Sequence, residues 1–254
     1  LLRLVRRLRS EAYGDFAWIY DAALGLPFSA ASAPILESVL SSRPELLRLK
    51  SLDLACGTGL GTELLVRNGL SAAGVDASIP MLRQARDRGL RVVCGDLRDL
   101  PFRGEFGWIT CLYDSLNHIL SERDLLRVFR EVRTLLASDG LFLFDVNQPE
   151  VYELIWSSTD SFQFDDDTAS LEMRTSFSRR KKIGTAWIRG SASRNGRRIE
   201  VTEVRRQRAW SRPEIEGALD RSGLVVVERN DFDPFEQAAD TGVGIKWLYV
   251  CRKS

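Results

Sequence analysis

The stretch at positions 53–61 reads DLACGTGLG, and it indicates the fold more clearly than any other part of the chain. An apolar run ends inside this stretch, and a helical pattern begins at its last glycine. Gly57 and Gly59 have no side chains, so a ligand can approach the backbone closely, and both can adopt the positive φ of a tight turn. In open α/β sheets, ligands bind at the carboxyl ends of the strands. The stretch therefore predicts a strand–loop–helix unit that binds a ligand.

Short apolar runs alternate with helical patterns throughout the first half of the chain, which is typical of βαβ units and a parallel sheet. The runs predict strands at Ser51–Ala55, Ala72–Asp76, Val92–Gly95, Trp108–Leu112 and Leu141–Val146. The helical patterns predict helices at Gly61–Asn68, Pro80–Arg88 and Glu122–Ala137. Two earlier helices are expected around Leu1–Leu24 and Ala33–Arg43.

The pattern changes after Val146, where residues 162–210 are rich in β-branched, aromatic and arginine residues without helical periodicity. Asn195-Gly196 is a strong signal for a two-residue hairpin turn. Such a turn would pair Trp187 with Val204 and Ala192 with Ile199. We therefore predict an antiparallel β subdomain inserted after the parallel sheet.

A helix at Pro213–Ser222 and strands at Leu224–Arg229 and Trp247–Cys251 are predicted to close the fold, the two strands as an edge hairpin. The predicted fold is Rossmann-like and doubly wound, with a mostly parallel seven-stranded sheet, a C-terminal antiparallel hairpin and the inserted subdomain. We expect three segments: residues 1–148 as the ligand-binding core, 149–212 as the insertion and 213–254 as the closing helix and strands.

Composition and charge exclude few functions. The formal net charge is +1, which gives no global reason to expect binding to nucleic acid or a membrane. No apolar run approaches the roughly 20 residues of a membrane-spanning helix, and Leu1–Arg9 do not resemble a signal peptide. The cysteines form no C-x-x-C pair and His118 is the only histidine, so we expect a reducing cytoplasm and no metal site.

Two departures from other glycine loops indicate the kind of ligand. A dinucleotide fingerprint would place its third glycine at position 62, which is Thr62, and no lysine follows as a phosphate-binding loop requires. Asp53 stands before the glycines, where it would repel a pyrophosphate and attract an ammonium or sulfonium. The loop therefore favours a positively charged nucleoside without phosphate, and a nicotinamide oxidoreductase is disfavoured.

Acidic residues also end the next two predicted strands. Asp76 follows the glycine loop by roughly 20 residues, a place suited to accepting hydrogen bonds from both ribose hydroxyls. Asp96 can accept from an exocyclic adenine amine, while Leu97 and Ile79 could enclose the ring. Each aspartate alone is often a simple turn residue, but their joint placement favours a nucleoside site.

These motifs together resemble those of class I S-adenosylmethionine-dependent methyltransferases. The matching segments are DLACGTG at 53–59, GVDASIPML at 74–82, GDL at 95–97, YDSLNH at 113–118 and LFLFDVN at 141–147. The resemblance covers residues 13–147 and the two closing strands, and it implies S-adenosylmethionine as the cofactor. The implied cofactor-binding residues are Asp53, Ala55, Gly57, Thr58, Gly59, Asp76, Ala77, Ile79, Asp96, Leu97 and Leu112.

Within this class, the chain looks most similar to small-molecule enzymes that include sugar N-methyltransferases. Those enzymes carry a helix before the core like the one from Tyr13 to Tyr20-Asp21. The resemblance implies that Tyr13, Trp18 or Tyr20 covers the cofactor, whereas an ordinary packing helix is the alternative.

His118 is our candidate for a general base, because its ordinary pKa near 6.5 suits proton removal at neutral pH. A histidine bonded to backbone at a helix start is the competing interpretation. Tyr113 and Asp114 are adjacent and could orient an amine or hydroxyl. Methyl transfer itself depends mostly on alignment of the reactants.

Arginine and lysine are concentrated at residues 174–212, which predicts a basic rim for an anionic small-molecule acceptor. A solvated sheet face balanced by Asp165-Asp166-Asp167 is the alternative. RNA is a less favoured acceptor, because the strand-four stretch lacks an N/D-P-P-Y motif. A cofactor-binding protein without turnover also fits the pocket residues, and a homodimer is left open.

Overall fold

A computed structural model describes residues 16–158, 161–167, 169–194, 197–233 and 245–254. Its strands are β1 Lys50–Leu54, β2 Ser71–Asp76, β3 Val92–Cys94, β4 Phe106–Cys111, β5 Leu136–Asn147, β6 Phe162–Asp165, β7 Ala169–Ser178, β8 Ile183–Arg194, β9 Arg197–Arg208, β10 Leu224–Phe232 and β11 Lys246–Lys253. Its longer helices are α1, which comprises Ala17–Tyr20, Asp21–Gly25 and Leu26–Ser42, α2 Leu60–Arg67, α3 Ile79–Asp87, α4 Glu122–Leu135 and α5 Arg212–Ser222. Short 3₁₀ helices at Pro44–Arg48 and Ser115–His118 and a π turn at Val151–Ile155 connect them.

The main sheet has seven strands in the order β10-β11-β5-β4-β1-β2-β3. Strands β1 to β5 pair in parallel, while β11 pairs antiparallel with both β5 and β10. The predicted fold class and the closing hairpin are confirmed, with β11 lying inside the sheet and β10 at its edge. Because the parallel strands all run one way, their carboxyl ends share one edge of the sheet.

Helices cover both faces of the main sheet, so its central strands are apolar without alternation. All residues of β4 are buried. On one face, Val128 and Phe129 of α4 pack with Ile215 of α5. On the other, Leu36 of α1 and Leu65 of α2 share a second cluster. The predicted helix at Glu122–Ala137 ends earlier, because β5 already begins at Leu136.

The N-terminal helix corrects a prediction. Helix α1 continues through Ala17–Tyr20, a π turn at Asp21–Gly25 and Leu26–Ser42, whereas the sequence predicted a break between Leu24 and Ala33. Gly25 and Pro27 look like helix breakers in the sequence. A Cβ on Gly25 would lie 2.8 Å from Leu60 Cδ1, so this glycine permits close packing and does not end the helix.

This helix also corrects the expectation about long apolar segments. The part Ala23–Ser42 has 20 residues and a mean hydropathy of 1.4, enough in length and composition to span a membrane. Its Ser32, Leu36 and Leu40 are nevertheless buried in this fold. A core helix can pass the same test, so length and hydropathy do not assign it to a membrane.

The inserted sheet, which we call the lid, comprises β6 to β9 in antiparallel order. Trp187 pairs with Val204 and Ala192 with Ile199, which confirms the predicted hairpin register; the turn residues Asn195-Gly196 lie outside the described residues. The lid packs against Phe16, Ile19 and Ala23 of α1 through an apolar cluster. The boundaries of the three predicted segments stay a prediction.

Candidate active site at the carboxyl edge of the sheet

The glycine loop turns sharply between β1 and α2. Gly57 and Gly59 have positive φ angles of 54° and 89°, and Ala55 adopts 52°. A Cβ on Gly59 would lie 2.5 Å from Leu90 Cδ1, so this glycine is needed for packing. A Cβ on Gly57 would have no atom within 4 Å, although both neighbouring residues are buried. Gly57 thus leaves space beside the loop into which a ligand can fit.

Asp53 lies buried beneath this loop and supports it. Its two carboxylate oxygens accept hydrogen bonds from Thr62 Oγ1 at 2.7 Å and Thr110 Oγ1 at 2.8 Å. Burial raises the pKa of Asp53 to about 6, against the opposing effect of these two bonds. The Asp53 side chain therefore links β1, α2 and β4. Thr62, at the position where a dinucleotide fingerprint has its third glycine, is one of its two hydrogen-bond partners. Contact between Asp53 and a cofactor stays a prediction.

Helix α1 holds the outer side of the loop. Thr58 Oγ1 donates to Asp21 Oδ1, and Arg88 donates to Asp21 Oδ2 at 2.6 Å. Asp21 belongs to the Tyr20-Asp21 pair that the sequence highlighted, but its link to the glycine loop was not predicted. Tyr20 is half-buried, with its ring centroid 6.0 Å from that of Phe16. Tyr13 lies outside the described residues, and covering of a cofactor by Tyr20 or the half-buried Trp18 stays a prediction.

Asp76 stands half-exposed at the end of β2, directly beside the glycine loop. Its carboxylate accepts from the backbone N–H of Gly57 at 2.9 Å and of Ser78 at 2.7 Å. Burial raises the pKa of Asp76, and these backbone bonds oppose that shift. Ala77 and Ile79 are exposed just beyond it, at the start of α3. The arrangement fits a ribose whose hydroxyls donate hydrogen bonds to the outer side of the carboxylate.

Asp96 follows β3 and is already engaged by Arg98. Its Oδ1 accepts from Arg98 N at 3.0 Å and Nε at 2.8 Å, and its Oδ2 forms an ion pair with the same guanidinium. Leu97 is half-buried against the core and Leu112 is buried after β4. The structure thus brings Asp96 to the same edge as Asp76, while its adenine contact stays a prediction.

A buried charge cluster after β4 was missed by the sequence reasoning. Lys246 at the start of β11 is 1% exposed, and its Nζ lies 2.6 Å from Asp114 Oδ1 and 2.7 Å from Asp145 Oδ2. The Asp114 N–H also donates to Asp145 Oδ2 at 2.9 Å. Burial alone would lower the pKa of Lys246, but the two carboxylates outweigh it and raise that pKa.

The backbone is strained at this cluster. Tyr113 and Asp114 have backbone φ angles of 64° and 50°, values that residues with a Cβ rarely adopt. The Tyr113 ring packs against Phe28, with centroids 5.6 Å apart. Burial raises the pKa of the Tyr113 hydroxyl well above its usual range, so this phenol stays protonated at neutral pH.

Gln207 of the lid joins His118 to the charge cluster. Its Nε2 donates to Asp114 Oδ2 and lies 3.3 Å from His118 Nε2. His118 Nδ1 lies 3.1 Å from the Arg206 carbonyl oxygen, which can only accept, so Nδ1 carries the ring proton and Nε2 is left as the basic nitrogen. Burial lowers the pKa of His118 and outweighs the opposite effect of Asp114. Burial therefore favours the neutral form of His118.

Several of the lid's basic residues have acidic partners. Ion pairs join Arg174 to Glu172, Arg179 to Glu153, Arg205 to Glu203, and both Lys182 and Arg208 to Glu214. The predicted basic rim is therefore partly neutralised, and its preference for an anionic acceptor stays a prediction.

Known proteins match this arrangement. The sequence matches the methyltransferase domain family over residues 52–140. The putative methyltransferase YqeM of Bacillus subtilis is 30% identical over 162 residues, which cover 61% of this chain and 63% of YqeM. The dTDP-4-amino-2,3,4,6-tetradeoxy-D-glucose N,N-dimethyltransferase of Saccharopolyspora spinosa is 32% identical over 136 residues, covering 52% of this chain and 54% of that enzyme.

A solved structure is similar over nearly the whole chain. The S-adenosylmethionine-dependent methyltransferase from Clostridium acetobutylicum has a TM-score of 0.75 and 26% identity, covering 95% of this chain and 99% of that one. The chain spans less than two thirds of the curated relatives YqeM and the sugar dimethyltransferase. The chain therefore carries a methyltransferase domain, has the fold of the S-adenosylmethionine-dependent methyltransferases and is similar in sequence to a sugar N,N-dimethyltransferase.

Proposed function

We propose that this chain methylates a nitrogen of a small-molecule amine, with S-adenosylmethionine as the methyl donor. The observation that carries this proposal is the charge of the site beside His118. Asp114, Asp145 and Lys246 together leave one net negative charge at a largely buried position. Such a site favours an amine, which arrives as an ammonium, over an anionic oxygen nucleophile.

The cofactor, when bound, would supply an electrophilic methyl group on a sulfonium, while Gly57 would leave room for its nucleoside part and Asp76 would hold its ribose. The chain's own residues prepare the acceptor. Asp114 is fixed by Lys246 and Gln207, so it can accept a hydrogen bond from the amine and align it. Burial favours the neutral His118 ring, so its Nε2 can accept the proton that the amine must lose when the amine takes the place of the Gln207 amide beside this nitrogen.

The acceptor class and the cellular location belong to the same proposal. The sugar N,N-dimethyltransferase among the relatives supports an amino sugar as the acceptor class. All four cysteines are unpaired, which supports a reducing cytoplasm as the location. A non-catalytic cofactor-binding protein and an RNA methyltransferase remain the alternatives that product analysis separates.

The proposal is tested first by thermal unfolding with S-adenosylmethionine, S-adenosylhomocysteine and NAD in parallel. A ligand at 100 times its Kd adds about 2.7 kcal/mol to stability. We expect the melting temperature to rise with both sulfur compounds and to stay unchanged with NAD. Mass spectrometry of a panel of amino sugars, their hydroxyl analogues and RNA then identifies the product. Methylation of the hydroxyl analogues at equal rates would contradict the preference for nitrogen.

His118→Asn gives a separate test of the base. Asparagine can still donate to the Arg206 carbonyl but cannot take up a proton, so we expect kcat to fall by about 10²- to 10⁴-fold. Affinity for S-adenosylhomocysteine should stay unchanged. In the wild type, the rate should fall as the pH drops through the His118 pKa, which burial lowers, since the protonated ring cannot act as a base. A variant with normal kcat would assign His118 a purely structural role.

A further inference from the structure

One face of strand β9 carries a row of polar side chains that lies towards the interior of the protein, formed by Glu203, Arg205 and Gln207. We call this row the polar column. The side chains of β9 alternate, so that Thr202, Val204 and Arg206 are exposed while Val201 and Gln207 are buried. Glu203 and Arg205 lie between these buried residues and share their face. Both side chains are largely buried, with exposures of 16% for Glu203 and 19% for Arg205.

The rest of this lid face is apolar. Leu171, Ile188 and Val201 pack with Phe16 and Ile19 of α1. Arg205 pairs across the sheet with Ala186, whose short side chain leaves room for a guanidinium. Among the lid side chains that the structure describes, charge interrupts the apolar face along the part of β9 that leads to Gln207.

The position of Gln207 places this column in the reaction cleft. Gln207 bonds to Asp114 and lies next to His118 Nε2, and Arg205 is about 7 Å further along the strand. Burial raises the pKa of Asp76 and lowers that of His118, and the positive charge of Arg205 lowers both. The positive charge of Arg205 thus acts on both the carboxylate proposed for the ribose and the proposed base.

The ion pair between Arg205 and Glu203 has little value for stability in this place. Desolvation of two charges roughly cancels their attraction, so a buried ion pair stabilises a fold weakly compared with apolar residues. An arginine is, however, well suited to hold a carboxylate or phosphate through its planar set of donors. Glu203 then pairs with Arg205 in the place that the anionic group of a bound ligand would take.

We propose that Arg205 binds an anionic group of the amine acceptor, a phosphate or a carboxylate, and that Glu203 holds the guanidinium when no acceptor is present. This inference rests on the proposed function for the amine end of the acceptor. It assigns acceptor selectivity to one side chain of the lid. The acceptor class is then an amine that also carries a negative charge.

The test measures anion binding directly and needs no turnover. Full-length protein saturated with S-adenosylhomocysteine is titrated calorimetrically with inorganic pyrophosphate, and separately with acetate, at constant ionic strength. We expect saturable binding of at least one anion, and the stronger one shows whether the subsite prefers phosphate or carboxylate. Arg205→Gln should weaken this binding by about 10- to 100-fold, the loss expected for one charge-assisted hydrogen bond. Arg198→Gln, an exposed change on the same strand, should leave it unchanged.

A second variant separates a binding role from a structural one. Glu203→Gln removes the negative charge that pairs with Arg205, so we expect it to tighten pyrophosphate or acetate binding several-fold. A merely structural ion pair predicts no such gain. Equal anion affinity in wild type and Arg205→Gln, or no binding of either anion by the wild type, would overturn the proposal. Retained S-adenosylhomocysteine affinity in every variant shows that the fold and cofactor site are intact, so this failure is distinct from failure of the proposed function.

Discussion

Asp76→Ala is expected to weaken binding of S-adenosylhomocysteine by about 10²- to 10⁴-fold. In the proposed role, the carboxylate accepts hydrogen bonds from two ribose hydroxyls. Hydrogen bonds to a charged group contribute roughly 1.5–3 kcal/mol each. The variant also loses the acceptor of the Gly57 and Ser78 N–H groups, so the glycine loop itself loosens. Calorimetric titration with S-adenosylhomocysteine measures the effect.

Two further variants make this result specific. Asp76→Asn keeps one oxygen acceptor and loses the charge, so its affinity should lie between those of the wild type and the alanine variant. Asp87→Ala removes an exposed carboxylate at the end of α3 and should change nothing. Since burial raises the pKa of Asp76, wild-type affinity should begin to fall at a higher pH than an ordinary aspartate would cause. Unchanged affinity in Asp76→Ala would show that the ribose is placed wrongly.

Local signals were enough to predict most of the fold. Apolar runs and glycines located the strands and helices of the main sheet to within a few residues, because each element is determined largely by its own neighbours in the chain. The Asn195-Gly196 signal predicted the lid register for the same reason, since a two-residue turn leaves one pairing. The predicted break in α1 was wrong. Gly25 allows close packing against Leu60, a residue distant in the chain, and it does not end the helix.

The candidate site was predicted only where the chain repeats a strand-end pattern. Asp53, Asp76 and Asp96 lie at or just beyond the carboxyl ends of consecutive strands, so their approach to one edge of the sheet could be inferred. Lys246 could not be inferred, because it is 132 residues from Asp114 and its partner β11 enters the sheet beside β5. Asp21 and Arg205 also act on residues that are distant in the chain, from α1 and the lid. Their segments were noted in the sequence, but these particular partners could not be inferred from it.

Lys246→Met is expected to lower the free energy of unfolding by about 3–5 kcal/mol, although methionine has nearly the same length. The change leaves Asp114 and Asp145 as two neighbouring carboxylates without their counter-charge, and an unpaired buried charge is costly. Urea unfolding at pH 8 measures this difference. Lys253→Met on the same strand is the matched control, because its nitrogen lies 4.0 Å from Glu105, which is largely exposed, and such pairs contribute at most about 1 kcal/mol.

The pH dependence of the Lys246 variant identifies the cause. Burial already raises the pKa of Asp145, and removing the ammonium raises it further, so one carboxylate of the pair takes up a proton more readily. A group whose folded pKa is raised stabilises the fold at low pH and loses that contribution as the pH rises. The loss of unfolding free energy in Lys246→Met, relative to the wild type, should therefore be smaller at pH 5 than at pH 8. Lys246→Met combined with Asp145→Asn should recover part of the stability at pH 8, because it removes one of the two charges. A deficit that is equal at both pH values and unchanged in the double variant would assign the loss to packing, and the charge assigned to the acceptor site would have to be revised.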